Sequence, residues 1–305
     1  MSTYILRRLA MMIPTLWAIA TLTFFMVRLA PGGPFMSEKD IPAPVKEQLM
    51  HRYGLDRPLG EQYLTFLGNA ARFDFGPSYR FPARSVRDII LEGLPVSAEL
   101  GGWSLLLALL VGIPLGVLAA SRHNTAADHA LMTLALAGVS IPNFVLGPLL
   151  VLVFSLTLFL VPPALWQSPA SRVLPVITLA TSYIAYIARL TRGGMLEVLQ
   201  QDFVRTARAK GLSESAVIGK HALRLGVLPV VSYLGPAAAG IIMGSIAVES
   251  IFGIPGTGRF LVNAAFNRDY TLVMGVVLFY AVLLMAFNLI VDVVYSWLDP
   301  RVEVS

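Results

Sequence analysis

The chain has no cysteine among its 305 residues. Disulfides, thiol nucleophiles and thiolate metal sites are therefore excluded. Charge is scarce as well. Only 13% of residues are Asp, Glu, Lys or Arg, about half the ~25% of an average soluble chain. That is too little to cover a compact soluble domain of this size. The 56% share of hydrophobic residues excludes a disordered chain, which needs low hydrophobicity. Catalytic signatures are missing too: no G-x-x-x-x-G-K-S/T phosphate loop, H-E-x-x-H or G-x-S-x-G occurs. Gly219-Lys220 imitates a phosphate loop, but Glu214 stands where its first glycine belongs and His221 follows the lysine. The four histidines, His51, His123, His129 and His221, make no close pair with metal-ligand spacing on one helix. No residue is assigned a catalytic or metal-binding role.

What the sequence does contain is long uncharged runs. A spanning helix needs about 20 mainly apolar residues. Leu9–Val27, Leu100–Ser121, Ala130–Ser171, Val173–Ala188, Leu225–Val248 and Thr271–Val291 are free of acidic and basic side chains. The third run is long enough for two spans. Pro162-Pro163 and the polar Trp166–Pro169 leave one helical region, Leu131–Leu160, interrupted at Ile141-Pro142-Asn143. A proline there removes a donor and kinks the helix, so a single kinked or tilted span is expected. The fold class is all-α and polytopic, with six transmembrane helices.

Six spans put both termini on one side. With the N-terminus inside, inner segments hold Arg7, Arg8, Arg122, Arg189, Arg192, Arg205, Arg208, Lys210, Lys220, Arg224 and Arg301, against Arg172, Arg259 and Arg268 outside. The positive-inside rule favours cytoplasmic termini, and it accounts for the net charge of +5 without nucleic acid. Arg7-Arg8 before an apolar run resembles a signal peptide, but the run exceeds the usual apolar region and no A-x-A-like site follows. An uncleaved first span is expected, with Arg28 snorkelling from its outer end.

Three regions follow: 1–30, cytoplasmic N-terminus and first span; 31–95, an outer soluble-like subdomain; and 96–305, a five-helix core with the inner loop 189–226. In 31–95, Pro31-Gly32-Gly33-Pro34 ends the first helix, Val45–Tyr53 and Glu61–Ala71 have helical periodicity, and Phe73–Pro77 reads as a turn. The segment is either a structured connector or a docking surface for an external partner.

The inner loop is the most informative stretch. Leu199, Phe203 and Ala207 share one helical face, and Arg205 and Arg208 another. Gly211 stops that helix. Ser213 is placed to cap a second one, with Glu214 in its positive first turn and Lys220 and His221 in its last. Val217 and Ile218 give it an apolar patch. Two readings stand: a helix that lies in a partner's groove, or a basic loop against anionic lipid.

Thr206-Ala207-Arg208-Ala209-Lys210-Gly211 and His221-Ala222-Leu223-Arg224 resemble the "EAA" loop of bacterial ABC importer permeases. Gly211 and the nine-residue gap match, while Arg205-Thr206-Ala207 replaces E-A-A and His221–Arg224 replaces I-x-L-P. Tyr4–Arg8 with Pro14-Thr15, Ala30–Phe35, Tyr53–Pro58, Asp74–Ser78, Glu249–Gly258 and Asn267–Tyr270 resemble the B-type permeases of oligopeptide and dipeptide (Opp and Dpp) importers. The short 161–172 loop and total length favour the oligopeptide member. The resemblance covers essentially the whole chain and implies the type I importer permease fold. It implies a non-catalytic subunit working with a second, C-type permease, two ATPases that use ATP and Mg, a periplasmic peptide-binding protein and the bilayer of the inner membrane. No cofactor would bind this chain. The resemblance assigns ATPase coupling to Arg205, Thr206, Ala207, Arg208, Lys210, Gly211, Ser213, Glu214, Val217, Ile218 and His221.

Intramembrane polar groups are function candidates. Glu99, Glu249 and Asp292 lie near span ends, where interfacial placement is the plain alternative. Glu249, before the Gly253–Gly258 loop, is read as an outer gate with Pro255 and Gly256. Asn143 and Asn288 are read as lining a watery path. Gly112–Gly116 and Gly240–Gly244 have G-x-x-x-G spacing, which allows close helix approach. The competing substrates are dipeptides, glutathione or nickel. An ion-coupled secondary transporter would need inverted repeats and paired mid-membrane acids, which the sequence does not show.

Overall fold

A computed structural model describes the backbone of residues 2–30, 33–35 and 42–298. Pro31, Gly32 and Arg301 lie outside the described residues, and so does the side-chain environment of Gly244. All regular elements among the described residues are helical, apart from one isolated bridge between Pro77 and Ser85. Among the described residues, four helices are long and apolar enough to cross a membrane: those at Leu6–Leu29, Val86–Ser121, Ala170–Leu199 and Tyr270–Val293. The count rises to six if each of two bent helix pairs is one span. The chain is a multi-pass membrane protein.

Two compact units are present. The first comprises residues 1–96 and 256–285, the second residues 97–255 and 286–305. In the first, α1 (Ser2–Leu29) is followed by the short α2 (Ala43–Arg52) and α3 (Leu59–Ala70). Proline opens both short helices, with Pro44 inside the first turn of α2 and Pro58 before α3, because a missing N–H costs nothing there. The turn after α3 is held by Gly76, at φ +75°, whose N–H donates to Asp74 Oδ1 at 3.0 Å. Phe24 of α1 is fully buried against Tyr63, Phe66, Tyr79, Tyr270 and Met274. α12 (Thr257–Phe266) and the start of α13 (Tyr270–Leu298) complete this unit.

Asp269 closes it. The carboxylate is fully buried and accepts from Ser78 Oγ, the N–H groups of Tyr79 (3.1 Å), Arg80 (3.2 Å) and Leu272 (3.2 Å), and Thr271 Oγ1 (3.0 Å). It thereby satisfies an orphan donor at the start of α13 and fixes the 78–80 turn. Arg28, at the outer end of α1, has partners within this unit. Its guanidinium donates to Gln62 Oε1 and lies 3.6 Å over the Phe24 ring, so it is folded into this unit.

The second unit is built around α7 (Val173–Leu199), which packs against α5 (Ala126–Ser140), α6 (Asn143–Leu150), α10 (Leu223–Gly226) and α11 (Leu228–Ile251). α7 runs eleven residues past Ala188. Arg189 and Arg192 end the uncharged run but not the helix, because arginine is a good helix former. Gly112 and Gly116 of α4 (Val86–Ser121) face α7. A Cβ on Gly116 would sit 2.5 Å from Ala188 O, and one on Gly112 2.9 Å from Ile184 O. The G-x-x-x-G pair therefore serves packing within this chain.

The third apolar region is broken at the expected proline. α5 and the α6-plus-π-helix segment Asn143–Thr157 meet at 100°. Ile141, forced from the helical region by the proline after it, has φ −90° and ψ 113°, so the chain turns a corner. At 15 residues, α5 spans roughly 22 Å, short of a ~30 Å hydrocarbon core.

Candidate functional site

The segment after α7 forms an elbow. α8 (Asp202–Ala209) ends at Gly211, whose φ is +76°. Then come α9 (Glu214–Ala216), a π-helical turn (Val217–Ala222), and α10. Val204 and Ala207 of α8 and Val217 and Ala222 of the second limb are buried together with Ala120, Met195 and Val198. Leu199, Ile218 and Leu223 pack against this cluster.

Two expectations are corrected here. The inward face of α8 is Val204 and Ala207, while Phe203 is 38% exposed. The break at Gln200-Gln201 resets the helical phase, so Leu199, Phe203 and Ala207 do not share the single face that their spacing suggests. The apolar patch of the second limb is also turned inward: Val217 is fully buried and Ile218 half-buried. An apolar side chain on a marginal helix gains more against its own chain's core than in water.

Apart from Phe203, Leu212 and Leu225, what the elbow exposes is mostly polar. Arg205, Thr206, Arg208, Lys210, Gly211, Ser213 and Glu214 are exposed, and His221 is half-buried. Arg208 grips Glu214 with two bonds, Nη2 to Oε1 at 2.6 Å and Nε to Oε2 at 3.1 Å. The guanidinium holds the Glu214 carboxyl below the usual carboxylate range through that hydrogen bond. At an exposed site such a pair contributes little stability. Its effect is geometric, tying the two limbs across the Gly211 turn. Ser213 has the extended backbone of a cap, but its hydroxyl lies against Ser215 Oγ at 3.2 Å and makes no capping bond.

The elbow is joined to α7 by backbone contact. A Cβ on Gly194 would lie 2.3 Å from Gly226 O, and one on Gly226 would lie 2.4 Å from Met195 Sδ. The backbone neighbour makes glycine necessary at 194, whereas the Met195 side chain is what an added Cβ at 226 would meet first.

Composition and periodicity gave no warning of one further link. Asp128, fully buried in the first turn of α5, accepts from Arg192 of α7 at Nε (2.6 Å) and Nη2 (2.7 Å), and from the Asn124 N–H at 3.0 Å. His123 Nδ1 lies 3.6 Å from the same carboxylate. A local signal exists: Thr125-x-x-Asp128 has the spacing of a capping box, and the Thr125 hydroxyl accepts from Asp128 N–H at 3.4 Å. Breaking a buried ion pair costs about 3–5 kcal/mol, and Arg192 is 25% exposed, which puts Asp128→Ala near the lower end, about 3 kcal/mol. The thermal midpoint in detergent should fall accordingly, with Asp128→Asn intermediate. An Asp128→Ala protein that melts with the parent would refute the latch.

The path candidates are scattered. Glu249 is fully buried and accepts from Ser97 Oγ at 2.7 Å and Ser245 Oγ at 2.5 Å. It is thus closed off from solvent in this structure. Pro255 is exposed, and Gly256 precedes α12, so the expected outer loop turns helical from Thr257. Asn143 Oδ1 accepts from Ser182 Oγ at 3.4 Å. Asn288 borders Gly235, where an added Cβ would come within 3.1 Å of its Oδ1. Glu99 accepts from Trp166 Nε1 at 3.0 Å and pairs with Arg172.

Residues 112–304 match the family described as "Binding-protein-dependent transport system inner membrane component". The chain belongs to this family. Relatives extend the match over its whole length. The permease is 46% identical to the oligopeptide transport system permease protein OppB of Salmonella typhimurium over 98% of this chain and 99% of that protein. It is 45% identical to the dipeptide transport system permease protein DppB of Bacillus subtilis over 99% and 98%. Its fold is similar to that of the MetNI methionine ABC transporter in an inward-facing conformation, at a TM-score of 0.56 and 16% identity over 69% of this chain and 96% of that one. An amino acid ABC transporter gives a TM-score of 0.51 over 69% and 94%, also at 16% identity. The permease fold inferred from the loop motif agrees with these findings.

Proposed function

We propose that this permease is the membrane subunit of an ATP-driven, binding-protein-dependent importer that moves oligopeptides across the inner membrane by alternating access, with both termini cytoplasmic. Its partners are a C-type permease, two ATPase subunits that bind ATP and Mg, and a periplasmic peptide-binding protein received by the 31–95 segment. The chain itself does no catalysis. The similarity to OppB carries the substrate class, and the near-equal similarity to DppB keeps dipeptides as the second reading.

The observation that carries the mechanism is the elbow's two-faced construction: an apolar face packed on α7 and an exposed polar face of Arg205, Thr206, Lys210 and Ser213. A pushed element must be rigidly joined to what it moves, and the Gly194–Gly226 contact supplies that joint. In this reading the ATPase meets the polar face, Arg208–Glu214 keeps the two limbs in register, and movement passes to α7 and α11. Val217, Ile218 and Ala207 act from within, holding the elbow's shape.

The cysteine-free sequence makes the test direct. Lys210→Cys and Ser213→Cys are each the only cysteine in the chain. Each should cross-link to an ATPase subunit in purified assemblies, and a tagged chain should bring down a second permease and two ATPases. Peptide transport by this chain alone in liposomes would overturn the proposal.

A further inference from the structure

We propose that the cavity beside the end of α1 in the first unit binds the phosphate of an anionic phospholipid headgroup. The cavity holds about 320 Å³ and is lined by Arg28, Arg52 and Arg57 together with Gln62, Asp74 and Tyr79. None of these arginines belongs to an ion pair among the described residues. Arg28 is half-buried and meets only neutral groups: Gln62 Oε1 at 3.0 and 3.1 Å, Met274 Sδ at 3.9 Å and the Phe24 ring. Arg52 faces the Tyr53 ring at 6.0 Å. Asp74 is the one acidic residue in the lining and gives Oδ1 to the Gly76 N–H. Three guanidinium groups around one space, with a single carboxylate among them, leave an excess of positive charge. A half-buried charge is costly without a counter-charge, and guanidinium forks match phosphate oxygens. Burial pushes the Tyr79 hydroxyl up to about 12, so it stays protonated and can donate.

Depth and surface choose the anion. The candidate span Leu6–Leu29 has 24 residues, or roughly 36 Å, against a hydrocarbon core of ~30 Å. Arg28, its penultimate residue, therefore sits at headgroup level. Leu22, Met26 and Leu29 follow the i, i+4, i+7 spacing of one helical face and are 63%, 69% and 81% exposed. The ridge lies on the face of α1 away from Phe24 and Arg28 and sets this end of the helix against lipid, so the pocket at its end meets phospholipid headgroups at a far higher local concentration than a soluble anion.

The test uses the full-length chain in uncharged detergent, titrated with short-chain phosphatidylglycerol or with inorganic phosphate at matched ionic strength. Arg52→Gln/Arg57→Gln leaves the Arg28 packing untouched, and an unchanged lipid-free melting midpoint certifies its fold. Phosphatidylglycerol should raise the parent's midpoint and should bind the double variant roughly 25-fold more weakly, since each basic residue near an anionic headgroup is worth about fivefold. Equal lipid affinity in parent and variant would overturn the site. Equal stabilisation by inorganic phosphate and phosphatidylglycerol would overturn the lipid assignment in favour of a soluble anion.

Discussion

Gly194→Val is expected to leave no working permease. The valine Cβ would lie 2.3 Å from the Gly226 carbonyl oxygen and 3.2 Å from Pro229 Cγ. The first of these is backbone, so no side chain can swing aside to make room. Overpacking in a well-ordered core costs about 1–3 kcal/mol and sometimes more. A rigid backbone neighbour puts this case at the top of that range, against a total stability of about 5–15 kcal/mol. The thermal midpoint should drop by roughly 10 °C, and ATP-driven uptake should be lost because the elbow no longer seats on α7. Gly193 is the internal control. It is the neighbouring residue of the same helix, and a Cβ there meets nothing within 4 Å. Gly193→Val should insert, melt and transport nearly as the parent does. Matching behaviour of the two variants would refute backbone contact as the joint.

Gly211→Val should separate folding from transport. A Cβ at Gly211 meets nothing within 4 Å, so the constraint is the +76° φ alone. An L-residue there costs about 1–2 kcal/mol, and a branched Cβ is worse placed than most. If the turn relaxes to avoid about 2 kcal/mol of strain, the population with the limbs correctly set falls roughly thirtyfold. Buried Val204, Ala207 and Val217 lie away from the change, so insertion and melting should hold while uptake falls by about that factor. Asparagine tolerates positive φ, and Gly211→Asn should restore most of the uptake. If valine and asparagine transport equally well, the left-handed turn does not matter for coupling.

Much of this was legible in the sequence, because the bilayer imposes a coarse code. Uncharged runs near 20 residues located most of the long helices, helical periodicity marked α2 and α3, and glycine marked the turn at Gly211. The misreadings share a cause: local spacing does not encode phase across a break. The spacing of Leu199, Phe203 and Ala207 suggests one face but runs through the break at Gln200-Gln201, and the Val217–Ile218 patch packs on its own chain. Pro142 announced an interruption, but its angle depends on what α5 and α6 pack against. The Asp128–Arg192 latch joins residues 64 apart, and nothing in one sequence pairs them. Glu249 stands out in the sequence as a carboxylate at the end of an apolar span, but its two serine partners, Ser97 and Ser245, are a tertiary fact.

The position of Asp269 has a consequence for how the protein is made. The first unit is discontinuous, with residues 97–255 synthesised between its two parts. At about 5–20 residues per second, that interval lasts roughly 8–32 s. Throughout it, the Tyr79 and Arg80 amides have been translated but Asp269, which receives them, has not, and Phe24 waits for Tyr270 and Met274. The portion translated first is therefore among the last to close. A chain stopped before Asp269 lacks both the carboxylate that receives those amides and the Tyr270 and Met274 side chains that pack with Phe24.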